Sequence, residues 1–193
     1  IHFRVHRLLY YMTEEQLISE CIEGNYRAQK KLYTLFSGKM MGVSMRYASC
    51  VPEAEDILQE SFIKVFNKID TFQATGPLGG WIRRIVVNTA LQRIRDNKNY
   101  RMHVEIDASE SMLEVSDGVL AQMGAAEIMK KVQKLPNGFR TVFNLYAIEG
   151  YTHPEISKEL GISVGTSKSQ YSRARAILRT LIEKEENISE KAI

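Results

Sequence analysis

GISVGTSKSQYSRARAILR, residues 161–179, is the stretch from which the rest of the chain is read. Ser163 is placed to cap a helix, because its hydroxyl can accept from an unpaired backbone N–H of the first turn. Gly161 suits the left-handed conformation that closes a preceding helix. Lys168, Arg173, Arg175 and Arg179 are basic, and no acidic residue interrupts them. Ile177 and Leu178, with Leu181 and Ile182 beyond, supply an apolar side at helical spacing. A capped, basic, amphipathic helix behind a short turn fits a DNA-recognition helix. Charge alone fits a solvated surface helix equally well, so the residues before Gly161 decide.

Those residues are Thr152-His153-Pro154-Glu155, a capping box with proline tolerated in the first turn. The helix it opens carries Ile156 and Leu160 and ends at Gly161. A short helix, a glycine turn and a basic helix predict a helix-turn-helix, and with it DNA binding. Further upstream, residues 119–134 read as a helix with Leu120, Met123, Ile128, Val132 and Leu135 apolar, broken by Pro136 and Asn137. Residues 139–149 follow, with Phe139, Val142, Phe143, Tyr146 and Ala147 as the expected stripe, stopped by Gly150.

The segment 102–118 differs in composition, with five acidic residues, three serines and no Lys or Arg. It reads as a connector between two basic halves. In the first half, 13–23 is a short helix behind a Thr13–Gln16 capping box, with Leu17, Ile18 and Cys21 inward. Asn25 caps the next, 26–48, with Ala28, Leu32, Leu35 and Phe36 on one face, and Gly38 and Gly42 weaken its continuity. A third helix opens at Pro52 and has two faces. Leu58, Phe62, Val65 and Ile69 form a core stripe, while Asp56, Gln59, Glu60 and Ile63 share another side. That second side fits either a solvated face or a partner surface. Residues 71–80 read as a loop by their Gly and Pro content. The helix after it carries Trp81, Ile82, Ile85, Val86, Ala90 and Ile94, and is strongly basic. A basic helix beside a loop flanked by Phe72 and Trp81 suits phosphates and unpaired bases, although a lone tryptophan is more often core.

Composition bounds the rest. The 193 residues are 44% hydrophobic and 25% charged, with a formal charge of +3, so the case for nucleic acid rests on charge distribution. Cys21 and Cys50 lie far apart and read as reduced, small apolar residues of a cytoplasmic protein. His2, His6, His103 and His153 are scattered, so no metal site or cofactor is expected. No apolar run approaches a membrane span. No phosphate-binding glycine loop or nucleophile motif is present, so the chain does not read as an enzyme. Residues 1–11 read as an extension ahead of a start at Met12.

Three stretches then carry a resemblance: EDILQESFIKVFNKID (55–70), WIRRIVVNTALQRIR (81–95) and the long run from Leu135 to Leu178. In order and spacing they resemble bacterial extracytoplasmic-function (group 4) sigma factors of the sigma-70 family, over residues 13–184. The resemblance implies an all-α chain of two small helical domains. Residues 12–101 are similar to sigma region 2 and 119–186 to sigma region 4, with 102–118 as linker and 187–193 as tail. It implies an alternative sigma factor that binds core RNA polymerase, directs it to −35 and −10 promoter elements and helps melt the −10 region.

On this resemblance Asp56, Gln59, Glu60 and Ile63 become core-polymerase contacts, on the coiled coil of β′. Lys64, Phe72, Trp81, Arg84 and Asn88 match the segment that engages the −10 element, where a flipped base is trapped at an unstacking cost of a few kcal/mol. Lys168, Ser169, Gln170, Ser172, Arg173 and Arg175 match the positions that meet the −35 element. Arg175 is then a phosphate contact and Gln170 a reader of an adenine edge. The β flap and an anti-sigma factor complete the implied partners, with no direct membrane insertion. Ser167 stands where many members place valine, which implies looser packing there. Gln170 and Tyr171 replace more frequent residues, and the loop is glycine-rich, so no promoter sequence is inherited. The competing reading is a helix-turn-helix repressor or activator acting without polymerase, and partner dependence separates the two.

Overall fold

A computed structural model describes residues 12–96 and 125–190 of the chain. The expected extension 1–11 and linker 102–118 lie outside the described residues, as do Leu120 and Met123. Two compact units divide at Thr89 and Ala90, and among the described residues every regular element is helical.

In the first unit, helix α1 (Glu14–Ile22) starts at the Thr13 box: the Gln16 N–H donates to Thr13 Oγ1 at 3.2 Å, and Gln16 Oε1 accepts from the Thr13 N–H. Asn25 caps α2 (Tyr26–Tyr47) by accepting from the Arg27 N–H at 2.9 Å. Helix α2 runs unbroken through Gly38 and Gly42. Burial of Ala28, Leu32, Met40, Val43 and Tyr47 offsets the roughly 1 kcal/mol that each glycine costs. The buried line runs through Ala28, Leu32, Met40, Val43 and Tyr47, and Leu35 lies off it. Leu35 is therefore 54% exposed, against the expectation that it packs.

Helix α3 (Val51–Lys68) packs on α2 and buries Leu58, Phe62 and Val65; Ile69, in the 3-10 turn Ile69–Thr71, completes the expected stripe. Helix α4 (Leu78–Asp96), which runs past the division at Thr89 and Ala90, begins earlier than expected, since Leu78, Gly79 and Gly80 form its first turn. The Pro77 carbonyl accepts from the N–H of Gly80 at 2.9 Å. A side chain at position 79 would bring its Cβ within 3.1 Å of the Phe36 ring. That glycine thus marks close packing against α2 rather than a loop.

The second unit holds α5 (Ala125–Val132), α6 (Asn137–Phe143), α7 (His153–Leu160) and α8 (Val164–Glu190). Its core joins Val132, Leu135, Phe139 and Phe143 to Ala174 and Leu178 of α8. Helix α6 runs into a π turn, Asn144–Ile148, which the expected stripe did not allow for. Each π turn holds an extra residue, so the positions after Phe143 leave the expected stripe, and Ile148 packs in part against the core. Leu145 is buried, whereas Tyr146 and Ala147 are exposed. Helix α8 also outruns the expected domain end and continues to Glu190.

The register of α2 is tested by a pair of variants. Leu32→Ala should cost about 2–5 kcal/mol, and Leu35→Ala less than about 0.5 kcal/mol. Chemical denaturation measures both, and equal losses would show the stripe misplaced.

Candidate nucleic-acid interface

The helix-turn-helix is built from local hydrogen bonds. Thr152 Oγ1 and the Thr152 N–H both donate to Glu155 Oε2 at 2.7 Å, closing the box that starts α7. These bonds hold the Glu155 carboxyl below its usual range. Gly161 ends α7 at φ +66°, in the left-handed region. Ser157 Oγ donates to the Ile162 carbonyl at 2.6 Å, and Ser163 Oγ accepts from the Thr166 N–H at 2.9 Å. Both caps read from sequence are therefore in place.

Helix α8 has a packed side and an open side. Ser167, Gln170, Ala174, Leu178 and Ile182 are buried at spacings of three and four. Lys168 is exposed, and Ser169, Ser172 and Arg173 are half-buried on the opposite side. Those four share a face able to meet a groove. The guanidinium of Arg175 lies 5.7 Å from the Tyr171 ring centroid, which orients it by a cation–π contact. Gln170 departs from expectation: it is 3% exposed, and its Oε1 is buried without a hydrogen-bond partner. It lies three positions after Ser167 and four before Ala174, so the helical repeat that buries those two buries Gln170 as well.

Ser167 does not loosen the helix. Its hydroxyl is fully buried, 2.9 Å from Nδ1 of His153 at the start of α7. The His153 ring stacks on Tyr146 at 4.4 Å, and Tyr146 in turn lies 4.5 Å from the Tyr171 ring. This seam joins the π turn, α7 and α8. Sequence reasoning missed it; the one signal was a serine where valine is more frequent.

In the first unit, Lys64 of α3 meets α4 at Thr89 and Phe72 meets it at Trp81. Trp81, Arg84 and Asn88 recur at i, i+3 and i+7 along α4, with Arg84 and Asn88 exposed. Phe72 and Trp81 are both half-buried and packed ring to ring at 5.6 Å, so each is partner to the other. Lys64 reaches across from α3: its Nζ donates to Thr89 Oγ1 at 3.3 Å and to Glu60 at 2.7 Å. Two sets of residues separated by the sequence reading thus share an ion pair.

On α3, Asp56 and Gln59 are exposed, Glu60 is half-buried, and Ile63 is 61% exposed, unusual for an isoleucine in a helix with so much of its apolar surface packed. A groove of about 320 Å³ opens beside Gln59, walled by Tyr33, Ser37 and Met41 of α2 with Glu55 and Leu58 of α3. Cys21 is buried, and burial followed by the Glu20 charge pushes its thiol up to about 11, whereas Cys50 is exposed ahead of α3 rather than packed. Among the described residues there is no cluster able to hold a metal ion, and no helix long and apolar enough to cross a membrane.

Two family models match the chain: Sigma-70 region 2 over residues 32–100 and Sigma-70, region 4 over residues 125–178. The chain is 32% identical to the ECF RNA polymerase sigma factor SigW of Bacillus subtilis, over 87% of this chain and 96% of that protein. It is 25% identical to the RNA polymerase sigma-H factor of Pseudomonas aeruginosa, over 84% of this chain and 90% of the relative. Among solved structures it is similar to CnrH in complex with the cytosolic domain of CnrY, at 24% identity and a TM-score of 0.46, covering 87% of this chain and 96% of that one. With both regions matched in order and a relative covered over 96% of its length at 32% identity, the chain belongs to the sigma-70 family, as an ECF RNA polymerase sigma factor.

Proposed function

We propose that this sigma factor meets core RNA polymerase through Asp56, Gln59, Glu60 and Ile63, meets the −10 region through Lys64, Phe72, Trp81, Arg84 and Asn88, and meets the −35 element through α8. The observation that supports this best is the presence of two DNA-suited faces in two separate compact units. A repressor needs one such face; a factor that reads two spaced elements needs two. Residues 12–101 and 119–186 are the two functional domains, with the acidic segment 102–118 between them.

On α8, Lys168, Ser169, Ser172 and Arg173 are the groove-facing set, and Arg175 is a phosphate contact. Gln170 supports the helix from its packed side and is not assigned a base. Around the −10 element, Asn88 offers both a donor and an acceptor to a base edge, and Arg84 one turn away offers charge to a phosphate. The Phe72–Trp81 pair gives a half-buried aromatic edge beside them, on which an extruded base can stack. The chain works in the cytoplasm, where polymerase and chromosome are, and the polymerase supplies the bond-making chemistry.

Partner dependence tests the whole reading. Tight promoter binding and transcription should require core polymerase; tight operator binding by the isolated chain, with polymerase ignoring it, would make it a repressor instead. Asp56→Lys with Glu60→Lys should abolish co-purification with polymerase while the thermal melt stays within a few degrees. Asn88→Ala should reduce permanganate reactivity of the −10 thymines more than it reduces initial promoter binding. Arg173→Ala should weaken promoter binding and lower the salt slope by about one.

A further inference from the structure

The ring of His153 is held from several sides. Its Nδ1 lies 2.9 Å from the buried Ser167 hydroxyl, Tyr146 covers a face at 4.4 Å, and Tyr171 meets it edge-on at 6.0 Å. The other nitrogen, Nε2, makes no hydrogen bond among the described residues and is not among the buried polar atoms left without partners, so it reaches solvent. His153 is the first residue of α7, and Lys168 of α8 is near enough for its charge to act on the ring. In a helix-turn-helix the first helix crosses the DNA backbone while the second lies in the groove. A phosphate drawn to Lys168 therefore comes within reach of the start of α7.

We propose that His153 is a further DNA-contacting residue of this helix-turn-helix, donating its Nε2–H to a promoter phosphate, and that Ser167 is the positioning residue that holds it. The inference rests on the reading that α8 meets DNA. The Ser167 hydroxyl, donating to Nδ1, selects the tautomer that carries its proton on Nε2. The Tyr146 stack then fixes the plane in which that N–H points.

The contact has a proton signature. In the free chain, burial of the ring and then Lys168 hold His153 below its ordinary value of 6.5, so it is neutral at neutral pH. Besides Lys168, the titratable groups that face the ring are Tyr171 on α8 and Tyr146 on the π turn; Arg175 lies over Tyr171, and Glu155, two residues along α7, is bonded to Thr152. A phosphate at Nε2 favours the charged ring. The bound-state pKa then lies above the free-state one, so affinity rises as pH falls through the bound value and levels off below the free value.

The test uses holoenzyme reconstituted from the full chain and core polymerase, with a fluorescent promoter duplex titrated between about pH 6 and pH 8. Wild type is compared with H153F, which keeps a ring for the stack, with S167A, and with R173A. Wild type should tighten toward low pH by up to about tenfold more than H153F, one pKa unit of bound-state shift being a factor of ten. S167A should lose part of that gain. If folded H153F keeps the wild-type pH profile and salt slope while R173A loses binding, His153 is not a contact and the proposal is overturned. If R173A binds as wild type does, the DNA reading of α8 fails instead. Should H153F not fold, ring-nitrogen NMR of the wild-type chain, free and with a −35 duplex, decides: a raised bound pKa supports the contact, and an unchanged or lowered one overturns it.

Discussion

One stripe on α8 carries the second unit: Ser167, Gln170, Ala174, Leu178 and Ile182. The helix must bury this side to hold the unit together and leave the other side open for a ligand. Its period of 3.6 residues divides the two tasks by position. Ala174 and Leu178 join the core of α5 and α6, and their packing fixes the rotation of α8 about its own axis. That rotation alone determines that Lys168, Ser169, Ser172 and Arg173 face outward and that Gln170 does not. A shift of one residue would bury the charges and expose the leucine.

What the sequence discloses well is local. Thr13, Asn25, Thr152 and Ser163 cap their helices because a cap needs only a hydroxyl or amide and the next few backbone N–H groups. Gly161 closes α7 for a similarly local reason. The two-domain, all-helical organisation was legible because two separate motif-bearing stretches agreed. Errors arose where packing between elements decided. Leu35 was assigned inward by residue type, but the α1 and α3 neighbours select a different line along α2. The glycines at 79 and 80 looked like a loop, yet Gly79 is small because Phe36 lies against it. No pattern in residues 139–149 announces a π turn, whose extra residue moved Tyr146 and Ala147 out of the core.

Moving Tyr146 outward has a consequence for the recognition unit. In a regular helix its ring would have been buried with Phe143; displaced, it stacks on His153 and touches Tyr171 instead. The irregular turn thus supplies an aromatic surface between α7 and α8 where aliphatic packing would otherwise be expected. A hydroxyl at position 167 is tolerated in that fully buried setting because His153 supplies its partner. An unpaired hydroxyl there would cost about 1–3 kcal/mol. Ser167 and His153 are therefore intelligible only together, and neither residue signals the pair when read alone.

The first unit handles polar groups differently. Lys64 is shared between Glu60, on the face proposed for polymerase, and Thr89, beside the face proposed for DNA. The ion pair joins residues one helical turn apart and both partners are more than a third exposed, so it contributes only a few tenths of a kcal/mol. So weak a pair cannot lock the unit in one state. It holds the Lys64 ammonium near α4 without desolvating it, leaving the charge available to a phosphate at little cost. A formal charge of +3 over 193 residues would not by itself draw a strong polyanion. On the faces proposed for DNA the charge is local instead: Arg84 and Lys168 are exposed, and Lys64 and Arg173 are half-buried.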